Sequence, residues 1–229
     1  MPKSASRGLP GSSAVLSLMR AIIRDDAAEV TRLLGVSSLL AREPLAAGAT
    51  RSSTENFFIE EIRHYLYAGD TPLHAAAVAY RRDTAELLIQ LGADVAARNR
   101  RGAQPLHYAA DGGPGVRAEV QAEVIAFLIE KGADPNALDK SGVAPLHRAV
   151  RQRSAMAVDA LLRNGADVRL KNKSGSGSPE AKAAQKEIIE LLLKAGANPE
   201  DRDANGKTAR ECVQSEWGGV GLRATPVSG

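Results

Sequence analysis

Apolar residues recur along this chain in short blocks, each with the three- and four-residue spacing of one helix face. Ala85, Leu87, Leu88 and Ile89 form one long block, and Val124, Ile125, Leu128 and Ile129 the next. Val158, Leu161 and Leu162 follow, then Ile188, Ile189, Leu192 and Leu193. Shorter stripes opened by Leu73, Leu106 and Leu146 precede the first three blocks. Gly92, Gly132, Gly165 and Gly196 fall just past the long blocks, where a left-handed residue closes a final helical turn. The pattern predicts a short helix, a turn, a longer helix and an exposed turn, repeated.

The repetition is explicit. Segments begin at Gly69, Gly102, Gly142 and Gly175, with a partial one at Gly206, at intervals of 33, 40, 33 and 31 residues. Three open alike, as GDTPLHAAA, GAQPLHYAA and GVAPLHRAV; four close alike, as LLIQLGADV, FLIEKGADP, ALLRNGADV and LLLKAGANP. Pro72, Pro105 and Pro145 suit a first helical turn, which needs no backbone donor there. Thr71 can cap that turn with its hydroxyl, whereas Gln104 and Ala144 in the same place cap poorly or not at all. One helix pair cannot bury its apolar face alone, so stacked neighbours must share a continuous core.

These two in-phase signatures resemble the ankyrin-repeat family, whose period is 33 residues and whose hallmark is Thr-Pro-Leu-His. The resemblance spans roughly residues 14–217. It implies an all-α ankyrin-repeat solenoid of about five stacked helix-turn-helix repeats with atypical terminal repeats. The expected organisation is a flexible tail over 1–13, then an ankyrin-repeat domain over 14–217. Its repeats cover approximately 14–68, 69–101, 102–141, 142–174 and 175–205, with a partial cap over 206–217 and a second tail over 218–229. Within the first repeat, LSLMRAIIRDD and AAEVTRLLG read as helices joined at Asp25-Asp26, and Leu39 to Ala47 as a possible third. Residues 48–56 read as a mobile loop, and FFIEEIRHYLYA as a short helix beside the first full repeat. The extra residues of the second full repeat fall in DGGPGVRAEVQ, a glycine-rich loop that prolongs the outer helix backwards. In the fourth, SGSPEAKAAQKEIIELLL lacks an apolar inner block, so one helix from Pro179 to Ala195 is expected.

Composition narrows the function. Aromatics are 3% of the chain, so Ala, Leu, Ile and Val must build many thin layers. A net charge of +3 argues against nucleic acid, whose counterion-release affinity needs a concentrated basic face. No run approaches the roughly 20 apolar residues of a membrane helix. Cys212 is the single cysteine, which fits a reducing, cytoplasmic setting and reads as inert packing.

Candidate chemistry is weak. His74, His107 and His147 occupy one place in successive repeats, but helices stacked about 8–10 Å apart cannot bring them to one metal with bonds near 2 Å. The family resemblance implies instead that each hydrogen-bonds across repeats. His64, beside Tyr65, reads as packed or superficial. Gly175-Ser176-Gly177-Ser178 follows no apolar strand, as a phosphate loop or nucleophile elbow would require, and reads as a linker. The expectation is therefore no catalytic residue, no metal and no cofactor.

By the resemblance, the exposed turns and the outward side of the inner helices meet partners. Arg100, Arg101, Lys140, Arg148, Arg151, Gln152 and Lys173 lie there as a candidate basic strip, with Tyr67, Tyr80 and Tyr108 as aromatic anchors. The expected role is a monomeric, non-catalytic protein-binding module for a partner of acidic character. The alternatives are a regulatory or accessory subunit of an enzyme and a scaffold with no natural partner.

Overall fold

A computed structural model describes residues 10–50, 57–112, 115, 117–170, 186–198, 200 and 208. Helices α1 (Pro10–Ile23) and α2 (Ala27–Val36) form the first pair. Three further pairs follow: α3 (Pro72–Val78) with α4 (Arg82–Gln90), α5 (Pro105–Ala109) with α6 (Ala118–Glu130), and α7 (Pro145–Arg151) with α8 (Ala155–Arg163). Helix α9 (Lys186–Lys194) packs on α8. Helices α1, α3, α5 and α7 stack in one row, and α4, α6, α8 and α9 in a second. Ala75, Ala76 and Ala77 of α3 are fully buried, so small side chains let inner helices approach closely. Leu73, Leu106, Leu146, Leu88, Ile125, Leu128, Leu161 and Leu192 fill the seam between rows. Of the first long block only Ala85 and Leu88 are buried; Leu87 faces outward.

The inner helices start in a way that explains the poor caps. The backbone N–H of Thr71, Gln104 and Ala144 donates to Nδ1 of His74, His107 and His147, at 3.1, 3.2 and 3.1 Å. The imidazole three residues on thus satisfies an amide at the helix start, and a capping side chain is dispensable at Ala144. A ring nitrogen that accepts from N–H carries no hydrogen, so Nε2 must carry it. Accordingly Nε2 of His74 donates to the Ala103 carbonyl at 3.1 Å, and that of His107 to the Val143 carbonyl at 3.0 Å. Each of these two rings is a neutral staple between one repeat and the next. For His147 the corresponding carbonyl, that of Ser176, lies outside the described residues.

Long helices end as the glycines require. Ala93, Ala133, Ala166 and Ala197 donate back to Leu88, Leu128, Leu161 and Leu192 at 2.9–3.0 Å, with Gly92, Gly132, Gly165 and Gly196 at positive φ. Between repeats the exposed turns are sewn together through their backbones. Arg100 N–H donates to the Ala68 carbonyl at 2.8 Å, and Lys140 N–H to the Arg101 carbonyl at 2.9 Å. Gly102, at φ +77, sits where a Cβ would come within 2.9 Å of the Lys140 nitrogen. Its period is thus set by a backbone contact as well as by a turn.

The N-terminal region departs from expectation. Helix α1 begins at Pro10, inside the span read as tail. Leu39 lies in a single 3₁₀ turn, Ser38–Ala41, rather than a longer helix. FFIEEIRHYLYA is not a helix: β1 (Phe58–Ile59) and β2 (His64–Tyr65) pair antiparallel, joined by a 3₁₀ turn, Glu60–Ile62, with Arg63 left-handed at φ 47. Aromatic and β-branched residues favour that pleat, and burial of Ile59 and Leu66 against the repeats decides the choice. As expected, α6 is longer than its counterparts, 13 residues against 9 in α4 and α8. Of the single helix expected from Pro179 to Ala195, Lys186–Lys194 is seen as α9, while residues 179–185, nearly all of the cap over 206–217, Cys212, the C-terminal tail and most of the 48–56 loop fall outside the described residues.

Candidate functional site: a basic groove under the hairpin

Helices α5 and α7 direct the residue after their histidine into the groove beside the turns. In α5 this is Tyr108, whose hydroxyl donates to Asp70 Oδ2 at 2.9 Å and accepts from Asn99 Nδ2 at 3.0 Å. Asn99 Nδ2 also reaches Asp70 Oδ1 at 2.8 Å, and Asn99 Oδ1 accepts from the Arg101 and Ala103 amides. In α7 the equivalent residue is Arg148. It donates through Nη1 to Asp111 at 2.5 Å and through Nη2 to Asp139 at 3.3 Å. Asp139 Oδ1 accepts from the Ser141 and Val143 amides, as Asn99 does one repeat earlier. Arg151, a turn further along α7, donates to the other oxygen of Asp111 at 2.8 Å. One polar register is therefore filled by Tyr with Asn and Asp in one repeat, and by Arg with two Asp in the next.

The hairpin β1–β2 closes over this register. The His64 ring lies 4.7 Å from that of Tyr108, and its Nε2 is 3.7 Å from Asp111. Its Nδ1 faces the Tyr65 carbonyl at 2.7 Å. Beyond the hairpin, Tyr67 receives a hydrogen bond from Arg101 at 2.9 Å, with the Arg100 and Arg101 guanidinium groups over its ring. Arg100 also donates to the Ala49 carbonyl. Between hairpin and inner helices lies a cavity of about 500 Å³, walled by Arg63, His64 and Tyr67 on one side and Arg101, Arg148 and Arg151 on the other.

Burial and charge set the ionisation here. Burial, then the Arg148 charge, push His107 down to about 4, against the pull of the Val143 carbonyl, Asp139 and Asp111. Burial likewise lowers His74. Burial and then the Asp70 carboxylate drive the Tyr108 phenol well above its ordinary range. Burial alone would raise Asp111, but His64, Arg148 and Arg151 together hold it well below the usual carboxylate value. The groove thus pairs an ionised Asp111 with its arginines, above inner-helix histidines, His74 and His107, that burial disfavours in the charged form. Among the described residues no group of three or more His, Cys, Asp or Glu is placed to hold a metal. No described helix is long and apolar enough to cross a membrane.

The expected strip is only partly a free surface. Arg101, Lys140, Arg151 and Gln152 are exposed and near one another, and Arg100 is exposed but tethered to Ala49 and Tyr67. Tyr67 is half-buried beneath those arginines. Three residues need correction. Tyr108, 1% exposed, is held by Asp70 and Asn99 inside the core and offers no ring to a partner. Tyr80 is buried at the left-handed turn after α3, near Gln121. Arg148 is buried between two carboxylates. Lys173 lies outside the described residues. Sequence reasoning singles out Asp70, Asp111 and Asp139 as the few acids there, but misses their pairing with the strip's arginines and the hairpin that roofs it. Asn99 and Asp139, each three residues before a repeat glycine, carried a readable signal for the turn network; His64 and Arg63 carried none.

A row of paired helices joined by stacked turns, with a polar groove along the inner row, defines a helical repeat solenoid. The family model of ankyrin repeats in three copies matches residues 18–139 and 99–172, and the chain belongs to the ankyrin-repeat family. Ankyrin repeats are generally protein–protein interaction modules. No curated protein matches the chain.

Proposed function

We propose that this chain is a non-catalytic binding module that docks a protein of acidic character on the groove and turns between the hairpin and α7, in a cytoplasmic setting. The observation that carries the reading is the backbone sewing of adjacent turns. It holds Arg101 and Lys140 on neighbouring fingers, both exposed, and Arg151 projects from the helix behind them. Charges fixed side by side speed the encounter with an oppositely charged partner and select its orientation. The buried register beneath them, Tyr108 and Arg148 with their acids, is the rigid floor and not the contact surface.

The test reverses Arg101 and Lys140 to glutamate. The helical circular dichroism signal should be unchanged. Capture of the partner from extract of the source cell should fall, and with the captured protein purified, the association rate should drop while dissociation changes little. The loss should shrink toward molar salt, where the Debye length is only about 3 Å. A double reversal that associates as fast as the parent at low salt overturns the reading.

A further inference from the structure

The cavity under the hairpin differs from the open rim in being walled on two sides and unevenly charged. Four guanidinium groups line it, those of Arg63, Arg101, Arg148 and Arg151, against two carboxylates, Asp111 and Asp139. Both carboxylates are already engaged. Asp111 binds Arg148 and Arg151, and Asp139 binds Arg148 and two backbone amides. Arg63 and Arg101 pair with no carboxylate among the described residues, and the nearest partners of Arg101 are the hydroxyl and ring of Tyr67. Arg148 is nine-tenths buried, and its Nε–H finds no hydrogen-bond acceptor among the described residues. A buried donor without an acceptor is a cost the fold bears unless something supplies one. The volume of about 500 Å³ falls within the range of about 300–1,000 Å³ typical of ligand pockets.

We infer that this cavity receives one anionic side chain, carboxylate or phosphate, from an extended peptide lying in the groove. The inference rests on the reading of the groove as a docking surface and names what that surface selects. Arg101 and Arg151 present planar forks that match an oxyanion through paired N–H groups. Arg63, held left-handed at the hairpin tip, places a third cation opposite them, so the hairpin is one wall of the site and not a decoration on it. The ring of Tyr67 and the apolar stem of Ile62 give the aliphatic part of such a side chain somewhere dry to lie.

The experiment titrates the full chain, labelled with ¹⁵N, while following arginine Nε–Hε resonances. Phenyl phosphate and phenylacetate are the probes, and benzyl alcohol is the neutral control. Both anions should shift a subset of these resonances saturably, Arg148 among them, and benzyl alcohol should not. Markedly tighter binding of phenyl phosphate identifies a phosphorylated side chain as the occupant; comparable binding identifies Asp or Glu. The double variant Arg63→Gln with Arg151→Gln should retain the circular dichroism spectrum and bind either anion at least tenfold more weakly. Absence of saturable shifts with both anions, equal shifts with benzyl alcohol, or undiminished binding by the double variant overturns the inference. If the anions fail while reversal of Arg101 and Lys140 still slows partner association, the groove docks its partner without this pocket. If the anions bind as expected while that reversal has no effect, the pocket stands and the docking reading falls.

Discussion

Acidification is the sharpest probe of the histidine staples. Replacing His107 by Ala removes a ring that accepts from the Gln104 amide and donates to the Val143 carbonyl. Both backbone groups lose a partner in a buried site, so near pH 8 the variant should be less stable by about 1–3 kcal/mol. The pH dependence separates this from mere loss of packing. In the folded chain His107 titrates at about 4, against an ordinary value of 6.5 in the unfolded chain. Between those values the unfolded state binds more protons, so stability is fully present above about pH 6.5 and drains away as the pH falls toward about 4. At about pH 5 the loss from this one residue is about 2 kcal/mol, approaching about 3 kcal/mol at lower pH. His74 is lowered too and drains stability in the same direction. Asp111, held below its ordinary value, titrates beneath this window and adds nothing within it. Urea unfolding followed by far-ultraviolet circular dichroism, run at about pH 8 and about pH 5, gives the comparison. The His107→Ala chain should lose about 2 kcal/mol less than the parent on acidification, at an unchanged denaturant slope. Equal losses in the two chains would show that His107 is not held neutral by burial and these two bonds.

Two further perturbations test the repeat joint and the groove floor. Gly102→Ala adds a Cβ at φ +77, 2.9 Å from the Lys140 nitrogen, and should destabilise by about 1–3 kcal/mol in urea unfolding; the same change at Gly132, where a Cβ meets nothing within 4 Å, should cost less. Tyr108→Phe removes the hydroxyl between Asp70 and Asn99 and should cost about 1–3 kcal/mol without altering the helical signal; an unchanged unfolding midpoint would remove the hydroxyl from the floor's hydrogen-bond network.

The repeat was legible because its determinants are local or recur at a fixed interval. The glycines at the ends of the long helices declare left-handed closures, and all four adopt them. The histidines recur in step with Pro and Leu, and the family resemblance implied that each ties one repeat to the next. What Gln104 and Ala144 do at helix starts was misjudged for a physical reason. Capping was sought in the side chain at that position, whereas the acceptor is an imidazole three residues on.

The groove was less legible because its determinants are contacts between distant residues. FFIEEIRHYLYA carries apolar positions compatible with a helix or a pleat, and no local rule separates them. The inner helices decide it: His64 must reach Tyr108 and Asp111, some 44 and 47 positions away along the chain, and a hairpin delivers it there. The arginines read as a strip for the same reason. Position along the repeat shows that Arg148 and Arg151 face the groove, but not that Asp111, at the far end of the preceding inner helix, waits to bind both. Register would nevertheless have found half of the answer. Tyr108 and Arg148 occupy the same step after their histidines, and the acids they bind all lie in the preceding repeat. A residue that the repeat places on the floor is chosen to satisfy that floor. The residues placed to meet a partner are those whose side chains the repeat leaves exposed, Arg101 and Lys140 on the fingers and Arg63 on the hairpin.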